Sequence, residues 1–459
     1  MLCTAASGSS LGPVASGREP SELEEALEEA GAGFRYVLGQ PAFRLIWFAQ
    51  LASQLADKFL MFSLIILAYH VTGGSTPVAI TLLAYTVPAV AIAPLAGVFA
   101  DRYDRKQIMV GTNLGRAILI ALIPLASSVP SLRGDYPHLL VITFLFSAVG
   151  QLFSPAEAAA IPSVVPRRGL LAANSLVLVT MVSTLVVGGV LAPLVSRYDI
   201  YAPYWLATLL FAVAGTLLFF ARIPRGEAFA RTGRRAFHQV AVELRDGMAA
   251  LRASPVLLLT FYELALALLV MFMMFTLAPA YVSRVIGITE QDTYVILLPA
   301  TIGALVSAVL LGQFGRYVDK VWLLVGGLVA TGLTLIVLAS APQAMRHLPE
   351  LRGGVRAFGA GFSFLLGVEF GALMIPSLTY LMENTEDHVR GRVFALLFMV
   401  INGASAVPVL LAAALADTVG IDRVIALLGV VLGLTGVSVA GFARRVFGGG
   451  TASGAHKLA

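Results

Sequence analysis

Apolar runs of about twenty residues recur between residues 43 and 442, and none of them alternates polar with apolar positions. That length of α-helix crosses the ~30 Å hydrocarbon layer of a membrane. A transmembrane β-barrel would instead show alternating segments of about ten residues. The chain is 58% hydrophobic and only 12% charged, where soluble domains carry about 25% charged residues. Surface-to-volume limits leave no way to bury so much apolar surface in one water-soluble globule. The fold class that remains is an all-α integral membrane protein.

Read by apolar length, the chain holds twelve predicted helical spans, at 43–69, 77–100, 107–128, 137–161, 171–195, 200–221, 256–283, 292–314, 321–341, 355–381, 393–415 and 421–442. An even number puts both termini on one side. Of the 31 Lys and Arg residues, twenty-two fall on the side of the termini and seven on the other, with Lys58 and Arg116 inside spans. Cytoplasmic loops carry such an excess, so both termini of this multi-pass cell-membrane protein are expected in the cytoplasm. The net charge of +5 follows from those loops and does not point to nucleic acid as a partner. Residues 1–40 are Gly- and Ser-rich, then acidic, without the charged and apolar regions of a cleavable signal peptide. A single cysteine, Cys3, excludes an intrachain disulfide.

One turn breaks the pattern. In "GVFADRYDRK", residues 97–106, five charges (Asp101, Arg102, Asp104, Arg105 and Lys106) sit within six residues between the second and third spans. As a positive-inside anchor the basic residues would suffice, because acids contribute little to orientation. Asp101 and Asp104 therefore point to a latch, in which Asp101 accepts from a neighbouring helix terminus or pairs with Arg105 and releases when helices separate. Gly97, one helical turn before Asp101, permits close backbone approach.

This stretch resembles the signature loop of the major facilitator superfamily, Gly-x-x-x-Asp-Arg-x-x-Arg-Lys, with Asp104 where that family usually has glycine. "FSPAEAAAIPSVVPRRGLLAANSL" (153–176) and "RGRVFALLFMVINGA" (390–404) are similar to the branch that contains enterobactin exporters and macrolide efflux proteins. The resemblance covers residues 35–443. It implies two pseudo-symmetric six-helix bundles rocking around a central cavity, a small-molecule substrate, no cofactor and a monomer in the lipid bilayer. The corresponding division is a cytoplasmic tail over 1–40, bundles over 41–222 and 255–443, a cytoplasmic linker over 223–254 and a cytoplasmic tail over 444–459. Arg392, at the start of the eleventh span, is expected in the same latch as Asp101. Internal repetition agrees. "GQFGRYVDK" (312–320) echoes 97–106, and Pro155 and Pro376 hold matching places, the copies lying about 215–221 residues apart.

Acids inside a membrane are costly and mark functional sites by default. Asp57 lies about fourteen residues into the first span and Glu369 at similar depth in the tenth. Glu157 and Glu263 lie nearer the cytoplasmic ends of the fourth and seventh. In the family this chain resembles, those four helices line the cavity. A carboxyl in a dry cavity can load and release a proton, which suits proton-coupled export, and Glu369 is the foremost proton site expected. Arg116 is roughly nine residues into the third span, or ~13 Å deep. The alternative for Asp57 is a salt bridge with Lys58 or Arg116 that merely neutralises charge. The Lys58 pair is awkward, because adjacent helix positions point about 100° apart. For Glu157 and Glu263 the alternative is an acid capped or snorkelling near the interface.

The remaining features weigh less. "VVGGVLAP" (186–193) reads either as an antiporter signature or as close packing through small residues. "MFMMF" (271–275) is an adaptable substrate wall or a lipid-facing run. The six histidines show no ligand spacing, and no phosphate-cradling loop or catalytic triad is present. Neither a metal centre nor enzymatic chemistry is therefore expected. Proton-coupled export of a small amphiphilic, drug- or siderophore-like compound ranks first. A lysophospholipid flippase comes second, on "FAQLASQLADKFLMFSL" (48–64), and divalent metal export third.

Overall fold

The structure is a computed structural model. It describes residues 33–92, 96, 99, 103–130, 136–224, 242, 245–314, 320–347, 354–400, 403 and 405–448. Gly97, Asp101 and Arg102 of the expected latch lie outside the described residues. The described chain is all-helical. A short helix, Phe34–Leu38, precedes α1 (Pro41–Thr72), α2 (Ser75–Ala91), α3 (Arg105–Ser127), α4 (Tyr136–Val164), α5 (Leu170–Ser196) and α6 (Ala202–Phe220). The second half holds α7 (Pro255–Tyr281), α8 (Tyr294–Phe314), α9 (Lys320–His347) and α10 (Val355–Asn384), then α11 in two pieces (Asp387–Met399 and Ala406–Thr418) and α12 (Ile421–Gly448). By length and composition, ten of the described helices can cross a membrane, and Ser75–Ala91 and Ala406–Thr418 are shorter apolar helices.

Local chemistry sets the helix ends. Pro41 and Pro255 sit in first turns, where a missing N–H costs nothing. Asp104 caps α3 by accepting from the Lys106 and Gln107 amides at 2.9 and 3.4 Å, so the acid that replaces the signature glycine has a helix-starting role. α4 is interrupted by a turn at Gln151–Leu152. Pro155 follows in the first turn of its second piece and offers no N–H to the Gln151 carbonyl. α1 stops at Gly73, whose φ of 68° is the left-handed cap conformation that glycine adopts without strain.

Packing is closest within each half. α6 lies against both α1 and α3, and α5 against α1; in the second half α9 packs on α12 and α8 on α10. The α8–α10 contact needs glycine, because a Cβ on Gly303 would strike the Phe364 carbonyl and one on Gly367 the Ala300 carbonyl. The halves meet along α2–α11, α5–α8 and α1–α7. A buried apolar cluster runs through both halves, from Phe59 and Leu64 on α1 to Leu277 on α7 and Val409 on α11. Outward faces stay apolar as well, with Leu178 and Val179 on α5 and Leu434 and Val437 on α12 exposed. Helices that are apolar on both faces are at home in lipid.

Candidate functional site

Asp57 is the centre of the most connected charge cluster inside the first half. Arg116 Nη2 of α3 donates to its Oδ1. Lys58 Nζ donates to Oδ2 at 3.1 Å and the Tyr85 hydroxyl of α2 donates to the same oxygen at 2.6 Å. The Arg116 guanidinium is held flat, its carbon 4.1 Å from the Phe146 ring centroid and 4.4 Å from that of Phe211. It passes over Gly150, where a Cβ would lie 3.1 Å from the same carbon. Aromatic faces attract cations, more strongly once water is removed. Tyr85 is steadied from behind, since Ser147 Oγ donates to its carbonyl at 2.5 Å. Asp57 therefore accepts from three donors, two of them cations, and is not an unpaired carboxylate.

The other three acids stand differently. Glu369 on α10 is 5% exposed, and its Oε1 accepts from Thr334 Oγ1 of α9 at 2.7 Å. Its Oε2 is buried without a partner. The carboxyl thus points toward α9, within the second half. Glu157 on α4 is 6% exposed with Oε1 unpartnered, and Glu263 on α7 is 2% exposed. Among the described residues no cation pairs with any of the three. Buried, unpartnered amide atoms also occur on Gln50 of α1 and Asn113 of α3. No group of three or more His, Cys, Asp or Glu able to hold a metal is found among the described residues.

Near the termini, Arg105 Nη1 donates to the Ala159 carbonyl of α4 at 2.9 Å, tying the start of α3 to α4. Lys106 Nζ lies 5.6 Å from the Phe219 ring centroid of α6. Arg392 Nη1 donates to Asp246 Oδ2 at 2.9 Å, in the helical segment that leads into α7. Among the described residues, Arg105, Lys106 and Arg392 thus contact Ala159, Phe219 and Asp246 respectively.

Sequence reasoning missed the polar contacts that join the halves at the opposite end. Asp417, at the end of α11, accepts from the Ser75 amide at 2.8 Å and from the Thr76 amide and hydroxyl at 2.7 and 2.8 Å. It caps α2 from the other half, because α2's own N-cap residue, Gly74, has no side chain. Arg284 pairs with Asp417 at 3.3 Å and donates to the Gly73 carbonyl at 2.7 Å, so one ion pair grips both arms of the α1–α2 turn. Beside it His70 Nδ1 meets Glu290 Oε1 at 2.5 Å. Arg197 donates to the Tyr294 hydroxyl at 2.8 Å and pairs with Asp292 at 3.4 Å. The signal available in the sequence was the scarcity of basic residues on that side, where Arg197 and Arg284 stand out.

Comparison with known proteins gives the arrangement a context. The sequence is 24% identical to macrolide efflux protein A of Streptococcus pyogenes over 387 residues, 83% of this chain and 91% of that protein. It is 27% identical to multidrug resistance protein MdtG of Dickeya zeae over 316 residues, 66% of this chain and 69% of the relative. Two solved structures share the fold. The nucleoside transporter NupG matches with a TM-score of 0.64 at 10% identity, covering 88% of this chain and 99% of that one. A bacterial homolog of the human lysosomal transporter Spinster matches at 0.63 and 12% identity, covering 90% and 97%. The profile of the Major Facilitator Superfamily matches residues 46–408, which is most of the chain. This multi-pass membrane protein, with its all-helical fold of two packed halves, belongs to the Major Facilitator Superfamily of transporters.

Proposed function

We propose that the protein is a secondary active transporter that exports a small amphiphilic organic compound in exchange for protons. One site is exposed alternately to the two sides of the membrane. The observation that carries the reading is the set of buried carboxyls on α4, α7 and α10 that pair with no described cation, with Glu369 Oε2 buried without a hydrogen-bond partner. An ionised acid at that depth costs several kcal/mol, so a group of this kind is suited to take up a proton on one side and give it up on the other. Export is supported by relatives named for macrolide efflux and multidrug resistance.

In this reading residues 41–222 and 255–443 move as two bundles, joined by a cytoplasmic linker over 223–254. The tails 1–40 and 444–459 lie on the same side. The contacts of Asp417 with Ser75 and Thr76, of Arg284 with the Gly73 carbonyl, and the His70–Glu290 and Arg197–Asp292 pairs hold the halves together at the far end. Opening there would break them, and the Gly97, Asp101, Arg102, Arg105, Lys106 and Arg392 set would close the cytoplasmic end in turn. The test is purified protein in liposomes under an imposed pH gradient. Proton flux is followed while drug-like amphiphiles of either charge, a siderophore and a lysophospholipid are added. A proton signal that depends on an organic amphiphile is expected. No signal with any compound, or one with the lysophospholipid alone, contradicts the proposal.

A further inference from the structure

The charges around Asp57 do not balance. One carboxylate faces two cations, and no second acid reaches either of them among the described residues. Arg116 is the natural partner of Asp57: its side chain is 9% exposed and clamped between Phe146 and Phe211. Lys58 is then one positive charge too many at membrane depth, where an uncompensated ion is expensive. Its side chain is 21% exposed, more than either partner, and its one ion pair is with its own neighbour in sequence. Adjacent helix positions point about 100° apart, so the Lys58 stem must bend sideways to make that contact and is free to leave it.

α5 approaches α1 closely at Lys58, where a Cβ on Gly188 would collide with the Lys58 Cβ and crowd its backbone. One turn further along α1, on the same face, Phe62 covers Gly189. Phe62 also meets Phe275 of α7 edge-on, with ring centroids 5.6 Å apart, where the two halves touch. A cation therefore sits one helical turn from an aromatic pair contributed by both halves. That is a head-and-body arrangement for an amphiphile, and a head that balances the surplus cation is negative. Asp57 already accepts from three donors, two of them cations.

We propose that Lys58 binds the anionic group of the transported compound, which makes the substrate an amphiphilic organic anion with its apolar body against Phe275, the half-buried ring that packs on the buried Phe62. The anion replaces Asp57 as the partner of Lys58, while Arg116 keeps Asp57. This rests on the export reading and narrows its substrate class. Binding to protein in lipid nanodiscs, with no gradient, separates the two. The probe is a radiolabelled aromatic carboxylate, compared with the matched alcohol and the matched trimethylammonium compound. The carboxylate is expected to bind roughly tenfold more tightly than the trimethylammonium compound, the scale of one charge-assisted hydrogen bond. Lys58→Gln should lose roughly that factor for the carboxylate and keep alcohol binding within about twofold, and Lys58→Arg should restore it. Competition by an anionic lysophospholipid would assign the anion to a lipid source, and competition by soluble carboxylates alone to a solute. Either fits the site. Tighter binding of the trimethylammonium compound, an unchanged carboxylate affinity in Lys58→Gln, or no carboxylate binding at all overturns the assignment. Gradient-driven transport of a cation alongside that result would leave the export reading standing.

Discussion

At the scale of single residues, the first half is organised by one carboxylate. Asp57 holds Arg116 and Lys58 and accepts a hydroxyl from Tyr85. Removing one side of a buried pair leaves the other side uncompensated, at a cost of about 3–5 kcal/mol. Asp57→Asn is therefore expected to lower the thermal unfolding midpoint in detergent markedly and to impair transport. Tyr85→Phe removes one hydrogen bond to a charged group, worth about 1.5–3 kcal/mol, and should lower the midpoint less. An Asp57→Asn protein as stable as the unaltered one contradicts this view of the cluster. The pairing was legible in the sequence only as an alternative, because Asp57 and Arg116 fall at compatible depths in their spans. Tyr85 was not, since a tyrosine among apolar residues carries no mark of its hydroxyl's partner.

Among the elements, the contacts between halves at the end opposite the termini decide what can open. Asp417 supplies to α2 the cap that Gly74 lacks and, with Arg284, grips the α1–α2 turn. A lost cap costs about 0.5–2 kcal/mol, enough to shift the balance between two conformations severalfold. With cysteines at His70 and Glu290, cross-linking should be rapid in the unaltered background and clearly slower with Asp417→Ala. Equal rates would mean that Asp417 does not hold this end closed. At the other end, Asp101→Asn is expected to leave expression intact and lower turnover, as measured in transport assays. Native turnover would remove Asp101 from any latch. The helices themselves were readable from apolar length, and α1, α5, α7 and α12 fall close to their expected spans. Which ends meet was not readable, because Asp417 closes its span with nothing nearby to name a partner 342 residues away. The direction of Glu369 was hidden for a related reason. α10 is apolar around most of its circumference, so periodicity does not choose between the central cavity and Thr334 of α9.

For the whole molecule, the proposed function has a proton and a substrate use the same conformational change in opposite directions. That reading is supported by the two halves, the contacts at one end and the buried carboxyls that pair with no described cation. Asp57 is held by cations in the first half, whereas no cation among the described residues pairs with Glu369 in the second. In the proposed function that asymmetry corresponds to different tasks for the halves, substrate binding beside α1 and proton carriage on α10. The most direct measurement compares the unaltered protein with Glu369→Gln in liposomes carrying an imposed pH gradient, following substrate accumulation and binding together. The amide keeps the shape of the side chain and its contact with Thr334 but carries no proton. Accumulation against the substrate gradient should vanish in Glu369→Gln while substrate binding persists. Uphill accumulation that survives the substitution with unchanged pH dependence would contradict proton coupling through Glu369.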